Sequence, residues 1–136
     1  MLNKPFLDKL EYDVTGACIE VHKFLGPGLL EKIYQRCLVK ELQLRGISFI
    51  SKQSILVSYK GELLDTALRA DLIIENCMVL ELKSVESILP LHEAQILSYM
   101  KLLEIPKGLL INFNCTNIVQ QGKKAFVSEF MYKYLK

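Results

Sequence analysis

Between Arg69 and Lys83 the chain reads Arg-Ala-Asp-Leu-Ile-Ile-Glu-Asn-Cys-Met-Val-Leu-Glu-Leu-Lys, two apolar runs of strand character that nevertheless carry Asp71, Glu81 and Lys83. An unpaired ion moved out of water costs several kcal/mol, so charges set inside such strands must be paired or bound to a cation. Side chains at i and i+2 of a strand share a face, which groups Glu81 with Lys83 and turns Leu80 and Leu82 the other way. Whether Asp71 joins them depends on the intervening turn. A two-residue loop at Asn76-Cys77 would set Asp71 opposite Leu82, whereas a three-residue loop at Glu75-Asn76-Cys77 would set it opposite Glu81, and Arg69 opposite Lys83. Asn accepts the left-handed conformation that such odd loops commonly require. The odd loop, or an equivalent bulge, is the expectation because it gathers the charges.

Two carboxylates about 4 Å apart repel by roughly 4 kcal/mol at an effective dielectric of about 20, a large fraction of a small domain's stability. Lys83 relieves part of this and a divalent cation relieves more. Oxygen ligands of this kind suit Mg²⁺ or Mn²⁺, and Mg²⁺ typically takes one or two carboxylates while leaving room for waters and a phosphate. The chemistry indicated is phosphodiester hydrolysis, with Lys83 orienting or deprotonating water and adding positive charge. The bland alternative is that Glu81 and Lys83 form the solvent side of an amphipathic strand with Asp71 in a cross-strand ion pair.

The remaining periodicity supplies a frame for this hairpin. From Phe6 to Leu25 apolar residues recur at three- and four-residue intervals, predicting a helix that stops at Gly26-Pro27-Gly28. A second helix is expected over about Leu29 to Arg45, ended by Gly46. The period then drops to two, and an antiparallel meander is expected over about Ser54–Tyr59, Glu62–Glu75 and Met78–Val85, with a bulge near Asp65 and Thr66 because the middle strand is so long. Pro90 opens a third helix running to about Leu103, closed by Pro106 and Gly108. Gly108 to Phe113 reads as a buried strand, joined to the meander by a right-handed parallel crossover. In the tail, Ile118–Gln121 is expected to be an edge strand and Phe126–Leu135 a short helix.

At 136 residues, 51% of them hydrophobic and 24% charged, the chain suits one domain spanning residues 1–136 and excludes wholesale disorder. No apolar run approaches the roughly 20 residues needed to cross a bilayer, and Met1 to Leu10 lacks the pattern of a signal peptide, so a cytoplasmic protein without membrane contact is expected. Cys18, Cys37, Cys77 and Cys115 are scattered with no C-x-x-C pair, which argues for reduced, apolar-packing cysteines over a zinc site. The net charge of +2 neither supports nor excludes a polyanionic partner. His22 and His92 read as structural or surface residues. Gly26, Pro27 and Gly28 are not a phosphate-binding loop, since no strand precedes them and the required lysine is missing.

Gly28-Leu29-Leu30-Glu31-Lys32-Ile33-Tyr34, preceded by Glu20-Val21-His22-Lys23-Phe24-Leu25, resembles the pattern that names the GxxExxY proteins, a branch of the PD-(D/E)XK nuclease superfamily. The resemblance continues through Arg69-Ala70-Asp71-Leu72, Glu81-Leu82-Lys83, His92-Glu93-Ala94-Gln95-Ile96-Leu97-Ser98-Tyr99 and Gly108-Leu109-Leu110-Ile111-Asn112-Phe113, covering about residues 7 to 115. It implies an α/β (α+β) protein with a restriction-endonuclease-like core, a mixed sheet with an antiparallel meander flanked by helices. It further implies that Asp71, Glu81 and Glu31 hold the metal, that Lys83 is the catalytic lysine, and that Gln95 and Tyr99 flank the centre. Ala70 stands where the superfamily name expects Pro, a position of backbone shape and not of chemistry. Arg69, Tyr99 and Tyr34 are further candidates for contact with substrate.

The expected function is therefore a Mg²⁺- or Mn²⁺-dependent nuclease acting on nucleic acid, DNA in preference to RNA, with a homodimer as a natural arrangement for cutting two strands. The alternatives are a non-catalytic nucleic-acid or protein-binding module on the same fold, and a phosphoesterase acting on small nucleotides.

Overall fold

The computed structural model describes residues 3–134. Helix α1 (Lys4–Leu25) is capped by Asn3, whose side-chain oxygen accepts the Phe6 amide at 2.9 Å, and it buries Leu7, Leu10, Val14, Ala17, Cys18 and Val21 along one stripe. Gly26, at φ 68°, ends it as the sequence suggested. Helix α2 (Glu31–Leu44) starts slightly later than expected and buries Tyr34, Leu38 and Leu42.

Five strands follow the order β1 (Phe49–Tyr59), β2 (Glu62–Ile74), β3 (Met78–Lys83), β4 (Lys107–Asn112) and β5 (Lys123–Val127), and they lie side by side in that order. β1–β2 and β2–β3 are antiparallel, β3–β4 is parallel and β4–β5 is antiparallel. The meander and the parallel crossover through α3 (Pro90–Leu103) are thus both present. β1 reaches back to Phe49, five residues before the expected start at Ser54.

Strand alternation divides the core between the two faces of the sheet. Leu72, Ile74, Leu80, Leu82, Leu109 and Ile111 pack with α1 and α2, while Ile73, Val79 and Leu110 pack with Ile96, Tyr99 and Met100 of α3. Gly108 makes the second contact close: a Cβ there would stand 2.5 Å from the Met100 sulfur. The expected bulge is in β2, where the register shifts between Ser54 and Leu56. Ala67 is left-handed at φ 62°, and the carboxylate of Asp65 accepts the Ala67 amide at 3.0 Å.

Two readings of the tail are corrected. Ile118–Gly122 is a π-helical turn and not an edge strand, because Asn117 caps it by accepting the Gln120 amide at 2.9 Å and the segment has no alternation to bury. The edge strand is β5, which takes Phe126 and Val127 from the expected helix; only Glu129–Tyr134 is helical, as a 3₁₀ segment, and Leu135 lies outside the described residues.

A half-buried ion cluster ties α1 to this end of the sheet. Glu11 meets Lys107 at 2.5 Å and Lys123 at 2.7 Å, and Lys107 is only 8% exposed. Among the described residues no helix is long and apolar enough to cross a membrane.

Candidate active site

Ile74 faces Met78, Ile73 faces Val79 and Leu72 faces Leu80, which leaves Glu75-Asn76-Cys77 as the three-residue loop that the gathering of charge required. Asn76 is left-handed at φ 57°. So is Glu75, at φ 51°, a conformation fixed from outside the hairpin: its amide donates to the Ser48 carbonyl at 3.0 Å, and its carboxylate accepts the Ser48 amide at 2.9 Å. Continued along the strands, the register sets Asp71 opposite Glu81.

At that point the β2–β3 ladder gives way to the two acidic side chains. The Asp71 amide donates to Glu81 Oε2 at 2.7 Å, and the Leu82 amide donates to Asp71 Oδ2 at 2.8 Å. Each carboxylate thus has one oxygen fixed by backbone, while Asp71 Oδ1 and Glu81 Oε1 take no protein hydrogen bond among the described residues. Glu81 is 4% exposed. Burial, and next the Asp71 charge, push its pKa up to about 8, with Glu31 adding to the rise and the Asp71 amide and Lys83 opposing it. Burial also raises Asp71, with Glu31 adding, against the pull of the Leu82 amide, Lys83 and Lys52. Two adjacent hard-oxygen donors, each with an oxygen to spare and a repulsion to relieve, fit a hard divalent cation that keeps part of its water shell.

Lys83 projects toward α3, where its Nζ donates to Gln95 Oε1 at 3.4 Å. Tyr99, one helical turn beyond Gln95, is 5% exposed. Burial raises its phenol pKa, as do the charges of Glu81 and Asp71, and a hydrogen bond with Gln95 works the other way. His92 turns to the start of α3, where its Nδ1 accepts the Leu89 amide at 3.0 Å. His22 Nε2 lies 2.8 Å from the Cys115 carbonyl, on the opposite core. The thiols of Cys18 and Cys77 are pushed by burial to about 12 and about 11, so neither is a nucleophile at neutral pH.

Glu31, in the first turn of α2, reaches the pair from the other side, lining a cleft of about 190 Å³ with Lys32, Gln35, Lys52, Asp71 and Leu82. Local contacts set this approach. Tyr34 Oη donates to the Gly26 carbonyl at 2.5 Å and accepts the Leu29 amide at 3.2 Å, while Ser84 Oγ donates to the Leu29 carbonyl at 2.5 Å. Gln35 Nε2 reaches the Asp71 carbonyl at 3.1 Å and Ser51 Oγ at 3.2 Å, clipping α2 to β2 and to the edge strand β1. The three carboxylates do not close into one group: among the described residues no cluster of three His, Cys, Asp or Glu is arranged to hold a metal.

One expectation for substrate contact changes, and one for register. Tyr34 is fully buried and stacked on Phe113, ring centroids 4.4 Å apart, so it holds the start of α2 and has no surface to offer a substrate. Arg69 does not stand beside Lys83, because the β2–β3 pairing ends at Leu72. It pairs instead with Ser54 of β1, lies 3.9 Å from Asp65 and donates to the Leu68 carbonyl at 2.9 Å. Two residues of the site had no sequence signal: Gln35, one polar residue among several on α2, and Lys52, whose left-handed backbone follows from no hydrophobic pattern.

A profile of the PD-(D/E)XK nuclease superfamily matches residues 8–125, a span that contains Glu31, Asp71, Glu81, Lys83 and Gln95. No curated protein and no solved structure matches the chain.

Proposed function

The chain belongs to the PD-(D/E)XK nuclease superfamily, and from that membership we propose that it is a metal-dependent nuclease hydrolysing phosphodiester bonds of nucleic acid, DNA in preference to RNA. The observation that carries this reading is the pair of crossed bonds in which the Asp71 amide donates to Glu81 and the Leu82 amide to Asp71, fixing a buried and a half-buried carboxylate side by side with one open oxygen each. Asp71 and Glu81 would hold Mg²⁺ or Mn²⁺, with Glu31 adding negative charge across the cleft. When bound, such an ion supplies a nucleophile at neutral pH and charge neutralisation on the phosphoryl group.

The chain's own residues do the rest. Lys83 brings a cation beside the acidic pair, where it can orient the attacking water and offset the charge that grows on phosphorus-bound oxygen. Gln95, bonded to the Lys83 ammonium, directs it. Tyr99 stays a neutral phenol because burial and the neighbouring carboxylates raise its pKa, and so serves as a hydrogen-bond donor toward substrate. Water adds to phosphorus and the P–O bond to the departing nucleoside breaks, leaving a phosphate monoester and a hydroxyl. The Gly28, Glu31 and Tyr34 spacing supports the GxxExxY branch within the superfamily: Tyr34 anchors the loop and Glu31 is presented by it.

The test is oligonucleotide cleavage in Mn²⁺ alongside Mn²⁺ titration, with wild type and Asp71→Ala. Cleavage and binding that both vanish in the variant support the reading; a wild type that neither cuts nor binds Mn²⁺ at millimolar concentration ends it. The small volume of the cleft also suits a small phosphoester. Faster turnover of mononucleotides than of oligonucleotides would favour that substrate.

A further inference from the structure

Ser51 faces Leu72 and Gln53 faces Ala70 in one continuous register, so Lys52 stands opposite Asp71, the acidic residue of the site on β2. Its backbone is nevertheless left-handed, at φ 56°. In mid-strand such a conformation strains a residue with a side chain, and a glycine or asparagine would adopt it with less strain. Gln35 holds the distortion in place by bonding Ser51 Oγ and the Asp71 carbonyl. The side chain so placed is exposed and lines the cleft with Asp71, Glu31 and Lys32. Among the described residues no carboxylate lies at ion-pair distance from its ammonium. The strain therefore secures neither an ion pair nor a buried contact; it delivers a cation to the mouth of an acidic site. A phosphodiester approaching Asp71, Glu81 and Glu31 is repelled by them, and a lysine at the rim offsets that repulsion.

We propose that Lys52 is a substrate-binding residue that holds a backbone phosphate of the nucleic-acid strand beside the scissile bond. The inference rests on the nuclease reading above. An ammonium on a flexible stem reads charge and not base identity, so the contact is independent of sequence.

The experiment compares wild type with Lys52→Gln, Lys52→Arg and Lys52→Gly on two oligonucleotides of unrelated sequence, in Mn²⁺, over a range of salt. Lys52→Gln is expected to lower kcat/KM about tenfold, mainly through KM and equally on both sequences, and to reduce the log–log salt slope by about one, while Lys52→Arg stays near wild type. Lys52→Gly is expected to lose the same affinity yet melt no lower than wild type, because glycine relieves the left-handed strain. An unchanged KM and salt slope in Lys52→Gln would overturn the proposal, as would a Lys52→Gly protein that melts several degrees lower with the wild-type salt slope. A wild type inactive on both oligonucleotides removes the nuclease reading itself, and this inference with it.

Discussion

Glu81 carries a pKa of about 8 because burial, and then the neighbouring Asp71 charge, disfavour its anion. A carboxyl whose folded pKa exceeds its unfolded value binds more protons when folded. Its effect on stability is therefore most favourable below the ordinary carboxylate range and is lost as pH rises toward about 8. Asp71 shifts in the same direction. Metal-free protein should melt progressively lower between about pH 5 and pH 8, and Glu81→Gln should flatten that slope and be the more stable at pH 8 by roughly 1–3 kcal/mol. A wild-type melting temperature that is level across this interval would contradict the shift. Tyr34 gives a second test at this scale. Tyr34→Phe keeps the stack on Phe113 but strands the Gly26 carbonyl and the Leu29 amide, so urea denaturation should show a loss of about 1–3 kcal/mol. A urea midpoint equal to that of the wild type would show that the hydroxyl does not hold this loop.

Among the elements, the hairpin β2–β3 was the most legible, since alternation fixed which side chains share a face and Asn76 allowed an odd loop. Its ladder ending at Leu72 was not legible, because carboxylates substituting for backbone acceptors follow the same pattern as carboxylates facing solvent. The seating of α1 was invisible for another reason. Glu11 lies on the polar side of a helical stripe, and its partners Lys107 and Lys123 come from strands near the other end of the chain. Burial works to raise the Glu11 pKa from its ordinary value of 4.5, but the hydrogen bonds and charges of the two lysines outweigh it and leave the group below that value. Its stabilising contribution is thus present above the ordinary pKa and lost as pH falls through the depressed one. Glu11→Gln should cost about 2–4 kcal/mol at neutral pH, because it leaves the nearly buried Lys107 without a counter-charge. It should also make acid unfolding shallower. Equal denaturation midpoints at pH 7 would show that the cluster does not hold the helix.

On the scale of the whole molecule, the sheet brings one acidic hairpin between α2 and α3, so that Glu31 approaches from one layer and Lys83, Gln95 and Tyr99 gather toward the other. Binding of a dication to this arrangement and not to the unfolded chain should stabilise the fold by mass action, by about 2.7 kcal/mol at a hundredfold excess over Kd. The melting temperature should accordingly rise from EDTA to excess Mn²⁺, and the rise should disappear in Asp71→Ala. Identical melting curves with chelator and with metal would count against a metal site formed by Asp71 and Glu81.

The sequence by itself determined which segments are helix and which are strand through Gly108, and the shared face of Glu81 and Lys83, to which the odd loop at Asn76 adds Asp71. Each follows from spacing along one or two adjacent elements, where side-chain direction is set by a period of 3.6 or 2. Tertiary structure decided what depends on elements remote in sequence. It buried Tyr34 against Phe113 and ended the β2–β3 ladder before Arg69. It stopped Glu31 short of a three-carboxylate cluster. It also turned Lys52 toward Asp71 through a left-handed residue that no hydrophobic pattern encodes.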